Sequence, residues 1–228
     1  MKITFISDTH SKHEEISKDL PGGDLIIHAG DLMNSGYEPR DIAGFVNWYS
    51  SLITMDYKHR VFIAGNHDRM FEDNPELTEE LINVYSGGLI YLKDQTHVID
   101  GVKIYGSPYQ PAFYDWAFNL PRNGVELQEK WNEIPNDIDI LITHGPPFGH
   151  CDTTPYGNLN VGCELLRVRV DEIKPKIHVF GHVHSGYGYK FYEGTHFINA
   201  AVLNERYKYA NKPLTVEWDP ETNELEFI

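Results

Sequence analysis

The chain has 228 residues, 41% hydrophobic and 23% charged; that supports a buried core and argues against a disordered or fibrous protein. A formal net charge of −15 with no Lys or Arg run repels a nucleic-acid polymer, so a DNA nuclease with a basic groove is disfavoured. Two cysteines, Cys151 and Cys163, are too few for a secreted disulfide framework, and no apolar run approaches the ~18 residues of a membrane span.

Met1-Lys2 leads straight into the apolar run Ile3 to Ile6, leaving no room for a signal peptide, so a soluble cytoplasmic protein is expected. That run predicts a first strand, and Ser11-Lys12-His13-Glu14 predicts a capping box opening a short helix. After a turn at Pro21-Gly22-Gly23-Asp24, Leu25 to His28 reads as a buried strand. Pro39 suits the first turn of a helix with Ile42, Phe45, Val46 and Tyr49 on one face. Val61 to Ala64 is a further strand, and a helix is predicted over Pro75 to Val84. Strands follow at Leu89 to Leu92, Thr96 to Asp100 and Val102 to Gly106, the last two turning at Gly101. Beyond an aromatic, proline-containing loop from Pro108 to Pro121, a helix is expected near Val125 to Asn132 and a strand over Ile138 to Ile142. A helix over Glu164 to Ile173 and a strand over Lys176 to Phe180 come next. Tyr189 to Phe227 reads as antiparallel strands. No internal repeat or linker divides the chain, so one domain over residues 1–228 is expected. The alternation of strands and helices predicts an α/β fold with at least one largely parallel sheet.

Five of these strands end in polar clusters of one kind: Asp8-x-His10, Gly30-Asp31, Gly65-Asn66-His67-Asp68, Thr143-His144 and Gly181-His182-x-His184. Taken singly, each Asp or Asn is an ordinary turn or cap residue and each His an ordinary packing residue. Jointly they predict convergence, because the carboxyl ends of parallel strands share one edge of a sheet and ligands bind there. Asp, His and Asn offer oxygen and nitrogen donors suited to manganese, iron, zinc or similar divalent ions. Asp8 and His10 lie two apart, as do His182 and His184, which places each pair on one face of a strand. Seven candidate ligands (Asp8, His10, Asp31, Asn66, His144, His182 and His184) are too many for one tetrahedral ion and suit two ions sharing a carboxylate. Two such ions can clamp a phosphoryl displacement and activate water.

The order and spacing of these clusters resemble the calcineurin-like metallophosphoesterase superfamily. Within it the chain is similar to the metallophosphoesterase-domain-containing group near the class III cyclic nucleotide phosphodiesterases. The segments that carry this are Ser7-Asp8-Thr9-His10-Ser11, His28-Ala29-Gly30-Asp31, Ile63-Ala64-Gly65-Asn66-His67, Phe118-Asn119-Leu120-Pro121-Arg122, Thr143-His144-Gly145-Pro146-Pro147 and Gly181-His182-Val183-His184-Ser185-Gly186-Tyr187-Gly188. The resemblance implies a four-layer αββα sandwich of mixed α/β type. It assigns Asp8, His10 and His184 to one metal, Asn66, His144 and His182 to the other, and Asp31 to both. Manganese is the leading metal, with iron, zinc, nickel, cobalt or magnesium as alternatives. It makes His67 a catalytic residue, touching a phosphate oxygen or protonating the leaving alkoxide, with Asp68 either orienting or polarising it or standing as a solvated turn carboxylate. Here Gly30-Asp31 continues as Leu32-Met33-Asn34, without the Asp or Arg that many superfamily members carry there.

The implied function is hydrolysis of a small phosphodiester, cyclic nucleotides among the candidates, by in-line attack of a metal-bound hydroxide. A phosphomonoesterase on the same site and a non-catalytic scaffold are the alternatives. The partner expected is a small phosphate ester rather than a membrane or a nucleic acid. His28 and His178 sit within apolar strands and are expected as hydrogen-bonded core residues. His150 and Cys151 are weaker candidates for supporting His144. Tyr109, Phe113, Tyr114, Trp116 and Phe118 are expected to pack in the core or a lid, or else to wall a substrate pocket.

Overall fold

The computed structural model describes residues 1–85 and 88–228. Its strands are β1 (Lys2–Ile6), β2 (Leu25–Ala29), β3 (His59–Ile63), β4 (Leu89–Tyr91), β5 (Gln95–Ile99), β6 (Val102–Ser107), β7 (Gln110–Pro111), β8 (Asn119–Leu120), β9 (Ile140–Thr143), β10 (Ile177–Phe180), β11 (Gly188–Tyr192), β12 (Thr195–Asn199), β13 (Leu214–Trp218) and β14 (Leu225–Phe227). The helices are α1 (His13–Ile16), α2 (Pro39–Ser51), α3 (Met70–Asp73), α4 (Pro75–Tyr85), α5 (Val125–Asn132) and α6 (Glu164–Ile173).

Two six-stranded mixed sheets form, in the orders β14-β13-β1-β2-β3-β4 and β11-β12-β10-β9-β6-β5. In the first, β1 to β4 run parallel and β13 and β14 add antiparallel at one edge. In the second, β12, β10, β9 and β6 run parallel, flanked by antiparallel β11 and β5. Side-chain alternation divides each inner strand between two cores. Ile3, Phe5, Ile27, Val61 and Ile63 of the first sheet face Ile104, Ile140, Ile142, Ile177 and Val179 of the second. The opposite face of the first sheet packs Ile6, Ile26 and Phe62 against Ile42, Phe45 and Tyr49 of α2. The second sheet packs Tyr105, Leu141 and Phe180 against Leu127, Trp131, Leu166 and Val170 of α5 and α6. The result is the expected αββα layering.

The strands after Tyr189 are not simply antiparallel. β12 pairs parallel with β10, and β13 crosses to the other sheet to pair with β1. Every residue of β12 is buried, which marks an inner strand but carries no signal of direction. The capping box does not form either. Ser11 adopts a left-handed backbone (φ 60°) and its hydroxyl accepts from the Asn34 N–H, so α1 begins at His13 with no side-chain cap. Helix α3 is too short to show periodicity in sequence.

His28 and His178 are core residues, and each braces a loop. His28 Nε2 lies 2.9 Å from Thr9 Oγ1 and His178 Nε2 2.8 Å from Thr143 Oγ1. His13, against Trp48, and His150, stacked on Phe197 at 3.8 Å, are buried too, and burial pushes both imidazoles down to about 4 from an ordinary 6.5. A depressed folded pKa means that the unfolded chain binds more protons between these values. The stability they contribute is therefore intact above pH 6.5 and lost as pH falls toward 4. A calorimetric melting series across that window is expected to show Tm falling by roughly 5–10 °C, with a shallower slope in His13→Phe.

Candidate metal centre

The loops after β1, β2, β3, β9 and β10 meet where the carboxyl ends of both sheets' parallel strands come together. Backbone bonds tie loop to loop: Asp8 N donates to Gly30 O at 3.0 Å, His10 N to Asp31 O at 3.1 Å and Gly181 N to His144 O at 2.9 Å. All seven predicted ligands arrive there. Asp8, His10 and His184 form one group of mutually close donor atoms, and Asp31, His144 and His182 form a second. Asp31 reaches both, with Oδ2 3.6 Å from His10 Nε2 and Oδ1 3.3 Å from His144 Nε2. The Asn66 amide oxygen completes the second group, 2.9 Å from His144 Nε2 and 2.8 Å from His182 Nδ1.

The donor set fits divalent cations for a specific electrostatic reason. His10, His144 and His184 direct Nδ1 at the carbonyls of Met33, Ala29 and Asn204, at 3.2, 3.0 and 2.9 Å. A carbonyl only accepts, so Nδ1 carries the proton and each neutral ring turns an Nε2 lone pair inward. The Nε2 atoms of His10 and His184 are then 3.4 Å apart, with Asp8 Oδ1 3.3 Å from the latter. Converging lone pairs repel unless a cation or extra protons lie among them. The titration behaviour agrees. Burial opposes charge on His144 and His184, but the carboxylates of Asp31 and Asp8 outweigh it and hold each at about 9. Burial pushes His10 and His182 down, to about 4 and 3. Asp8 and Asp31 are held below the usual carboxylate range by His184 and His144 in spite of burial.

The backbone is strained at the same place. Asp8, His10, Asp31 and His182 have φ of 55°, 41°, 55° and 65°, a left-handed region that costs a non-glycine residue about 1–3 kcal/mol and concentrates at functional sites. Close approach also explains two glycines. A Cβ on Gly65 would strike the Asp31 backbone and carboxylate, and one on Gly181 the Asp8 carboxylate.

His67 comes to the edge of this cluster, within reach of His10 and Asp31, so distance alone would admit it as a ligand. Its N–H donates to Asp31 Oδ1 at 2.8 Å, and its Nδ1 donates to the Asn34 carbonyl at 2.5 Å. Asp68 does not orient it, contrary to expectation. The Asp68 carboxylate instead accepts from the N–H groups of Gly65, Leu32 and Met33 at 2.7, 3.1 and 2.9 Å, locking the β2 and β3 loops together. Burial and the charge of Asp31 raise its pKa to about 8, against the pull of those donors. Asp68→Ala leaves three buried donors unpaired, and a destabilisation of roughly 3 kcal/mol or more is expected, read from urea unfolding. His150 and Cys151 do not reach His144. The His150 ring stacks on Phe197, and the Cys151 carbonyl accepts from Asn199.

The calcineurin-like phosphoesterase family model matches residues 1–186. This chain belongs to the calcineurin-like phosphoesterase family. Human metallophosphoesterase domain-containing protein 1 is 40% identical to it, over 95% of this chain and 70% of that protein. A Caenorhabditis elegans relative, UPF0046 protein C25E10.12, is 37% identical over 94% of this chain and 79% of its own length. Among solved structures, TT1561 of Thermus thermophilus superposes with a TM-score of 0.65 at 15% identity, over 99% of this chain and 97% of that one; this likeness shows the fold alone.

Two features of this calcineurin-like phosphoesterase lie outside the predicted site residues. The first is a cavity of about 590 Å³ beside the cluster, lined by His182 and His184, by the exposed Phe113, Tyr114 and Tyr156, and by Tyr207. The predicted aromatic cluster is thus divided: Phe113 and Tyr114 wall the cavity, Phe118 is buried with Tyr109 against it, and Trp116 stacks on His67. The second is Tyr207, whose ring lies 4.8 Å from His10 and 5.5 Å from His184, again with a left-handed φ of 54°. No sequence signal marks it, since it arrives from a turn 23 residues beyond the last cluster. No helix among the described residues is long and apolar enough to cross a membrane.

Proposed function

We propose that this chain is a dinuclear metal-dependent hydrolase of small phosphodiesters, acting as one domain in the cytoplasm. The observation that carries the reading is the inward convergence of seven donor side chains, with Asp31 shared between two groups. Asp8, His10 and His184 would hold one cation and Asn66, His144 and His182 the other, with Asp31 serving both. Manganese is the first metal to test, because a site of mixed oxygen and nitrogen donors accepts several divalent ions. Two cations bound there supply water of lowered pKa and neutralise charge on the phosphoryl group.

The rest falls to the protein. Carbonyls of Met33, Ala29 and Asn204 fix the tautomers of three imidazoles, so their lone pairs are already aimed. His67, in its doubly protonated form, keeps Nδ1–H on the Asn34 carbonyl and gives the Nε2 proton to the leaving oxygen as its bond to phosphorus breaks. This assistance serves esters whose alkoxide leaving group departs poorly. The aromatic cavity would hold the organic group of the ester.

The test is turnover of bis-p-nitrophenyl phosphate and p-nitrophenyl phosphate with and without added manganese, followed by 3′,5′- and 2′,3′-cyclic nucleotides. Manganese-dependent cleavage with the diester faster is expected. A faster monoester would favour the phosphomonoesterase reading, and silence throughout would favour a scaffold.

A further inference from the structure

The loop from Pro108 to Pro121 does more than border the cavity. It is pinned to the turn that carries Asn66 and His67. Ala117 N donates to the Asn66 carbonyl at 3.0 Å, and Phe118 N donates to Glu72 Oε1 at 3.0 Å. Phe118 itself is fully buried with a left-handed φ of 55°, its ring edge-to-face with Tyr109 at 5.6 Å. These anchors follow Trp116 directly in the chain and hold the backbone beside it against the turn. It stacks on the His67 imidazole with ring centres 4.1 Å apart and planes 26° from parallel.

Four contacts surround the imidazole. The Asn34 carbonyl holds Nδ1, the His10 ring lies near-perpendicular to it at 4.6 Å and 86°, the Tyr207 ring lies farther off at 6.2 Å and 61°, and the Trp116 face, closest and nearly parallel, limits its tilt and its rotation about the Cβ–Cγ bond. Among the described residues no hydrogen bond reaches its Nε2. A carboxylate would hold the ring by charge as well as by hydrogen bond, but here the second partner is a neutral carbonyl. An aromatic stack is what remains to define the plane.

We infer that Trp116 is a positioning residue for proton transfer, holding His67 so that Nε2 points at the leaving oxygen. The inference rests on the reading of His67 as proton donor given above. It differs from a role in binding the substrate, because it acts through His67 and should appear in kcat rather than KM.

The experiment compares wild type, Trp116→Ala, Trp116→Phe and His67→Ala, all manganese-loaded and full length. The substrates are bis-p-nitrophenyl phosphate, with a good leaving group, and diphenyl phosphate, with a poor one. Loss of proton donation slows the poor leaving group more. Trp116→Ala is expected to lower kcat on diphenyl phosphate about tenfold more than on bis-p-nitrophenyl phosphate, with KM within about twofold. Bound manganese should be unchanged, and Trp116→Phe should recover most of the loss. In the zinc-loaded protein, the His67 ring protons should lose the indole ring-current shift in Trp116→Ala. Equal losses on both substrates, a change in KM alone, or no rescue by phenylalanine would overturn the inference. If His67→Ala also shows no leaving-group dependence, the reading of His67 as proton donor falls with it. If His67→Ala shows that dependence and Trp116→Ala does not, only the role of Trp116 falls.

Discussion

Asp31→Ala is expected to lose both cations and to reduce diester turnover to background, a drop of at least ~10³-fold. Among the described residues no other side chain joins both groups: its two oxygens lie 3.3 Å from His144 Nε2 and 3.6 Å from His10 Nε2. It also accepts the His67 N–H, so its removal loosens the turn that presents Asn66. Ala leaves His144 and His10 facing a hole where each had an anionic neighbour, and the negative charge that would draw two cations together is gone. Metal content by mass spectrometry after dialysis against manganese should fall from two ions per chain to nearly none. A circular dichroism melt should show that the chain still folds, because the three packed cores do not depend on this carboxylate. Retention of both ions in Asp31→Ala would contradict its shared role.

His67→Ala is the complementary case. Both ions should stay, and turnover of diesters should fall about 10²–10⁴-fold, most steeply for those with poor leaving groups. The physical basis is the division of contacts on the ring. Nδ1 is committed to the Asn34 carbonyl, while the seven other donors already complete the two groups without it. Because the ring lies within ligand distance of His10 and Asp31, metal content is the decisive control. Loss of manganese on substitution would make His67 a ligand rather than an acid.

The site is readable in sequence to the extent that side chains define it. Each strand end carries its ligands within one to four residues, and parallel topology then brings the ends together whatever lies between. Helices α5 and α6 have the bounds expected of them because Gly124 precedes one and Lys174-Pro175 ends the other. What escapes the sequence is mostly backbone chemistry. The Asn34 and Asn204 carbonyls that orient His67 and His184 have no side-chain signature, since any residue could supply them. Asp68 sits next to His67 in sequence and reads as its partner, yet nearby N–H groups from two loops claim its carboxylate. Ser11 reads as a cap, but the left-handed turn after His10 sends its hydroxyl to Asn34. Trp116 belongs to the aromatic cluster that the sequence marks, but its stack on His67, like the arrival of Tyr207, comes from long-range packing that local pattern does not encode.

The most direct measurement is a crystal structure of the full chain grown with manganese, with anomalous scattering recorded to locate the metal. The expected result is two peaks, one among Asp8, His10 and His184 and one among Asn66, His144 and His182, with Asp31 contacting both. A single peak, none, or Asp31 turned away from either would contradict it.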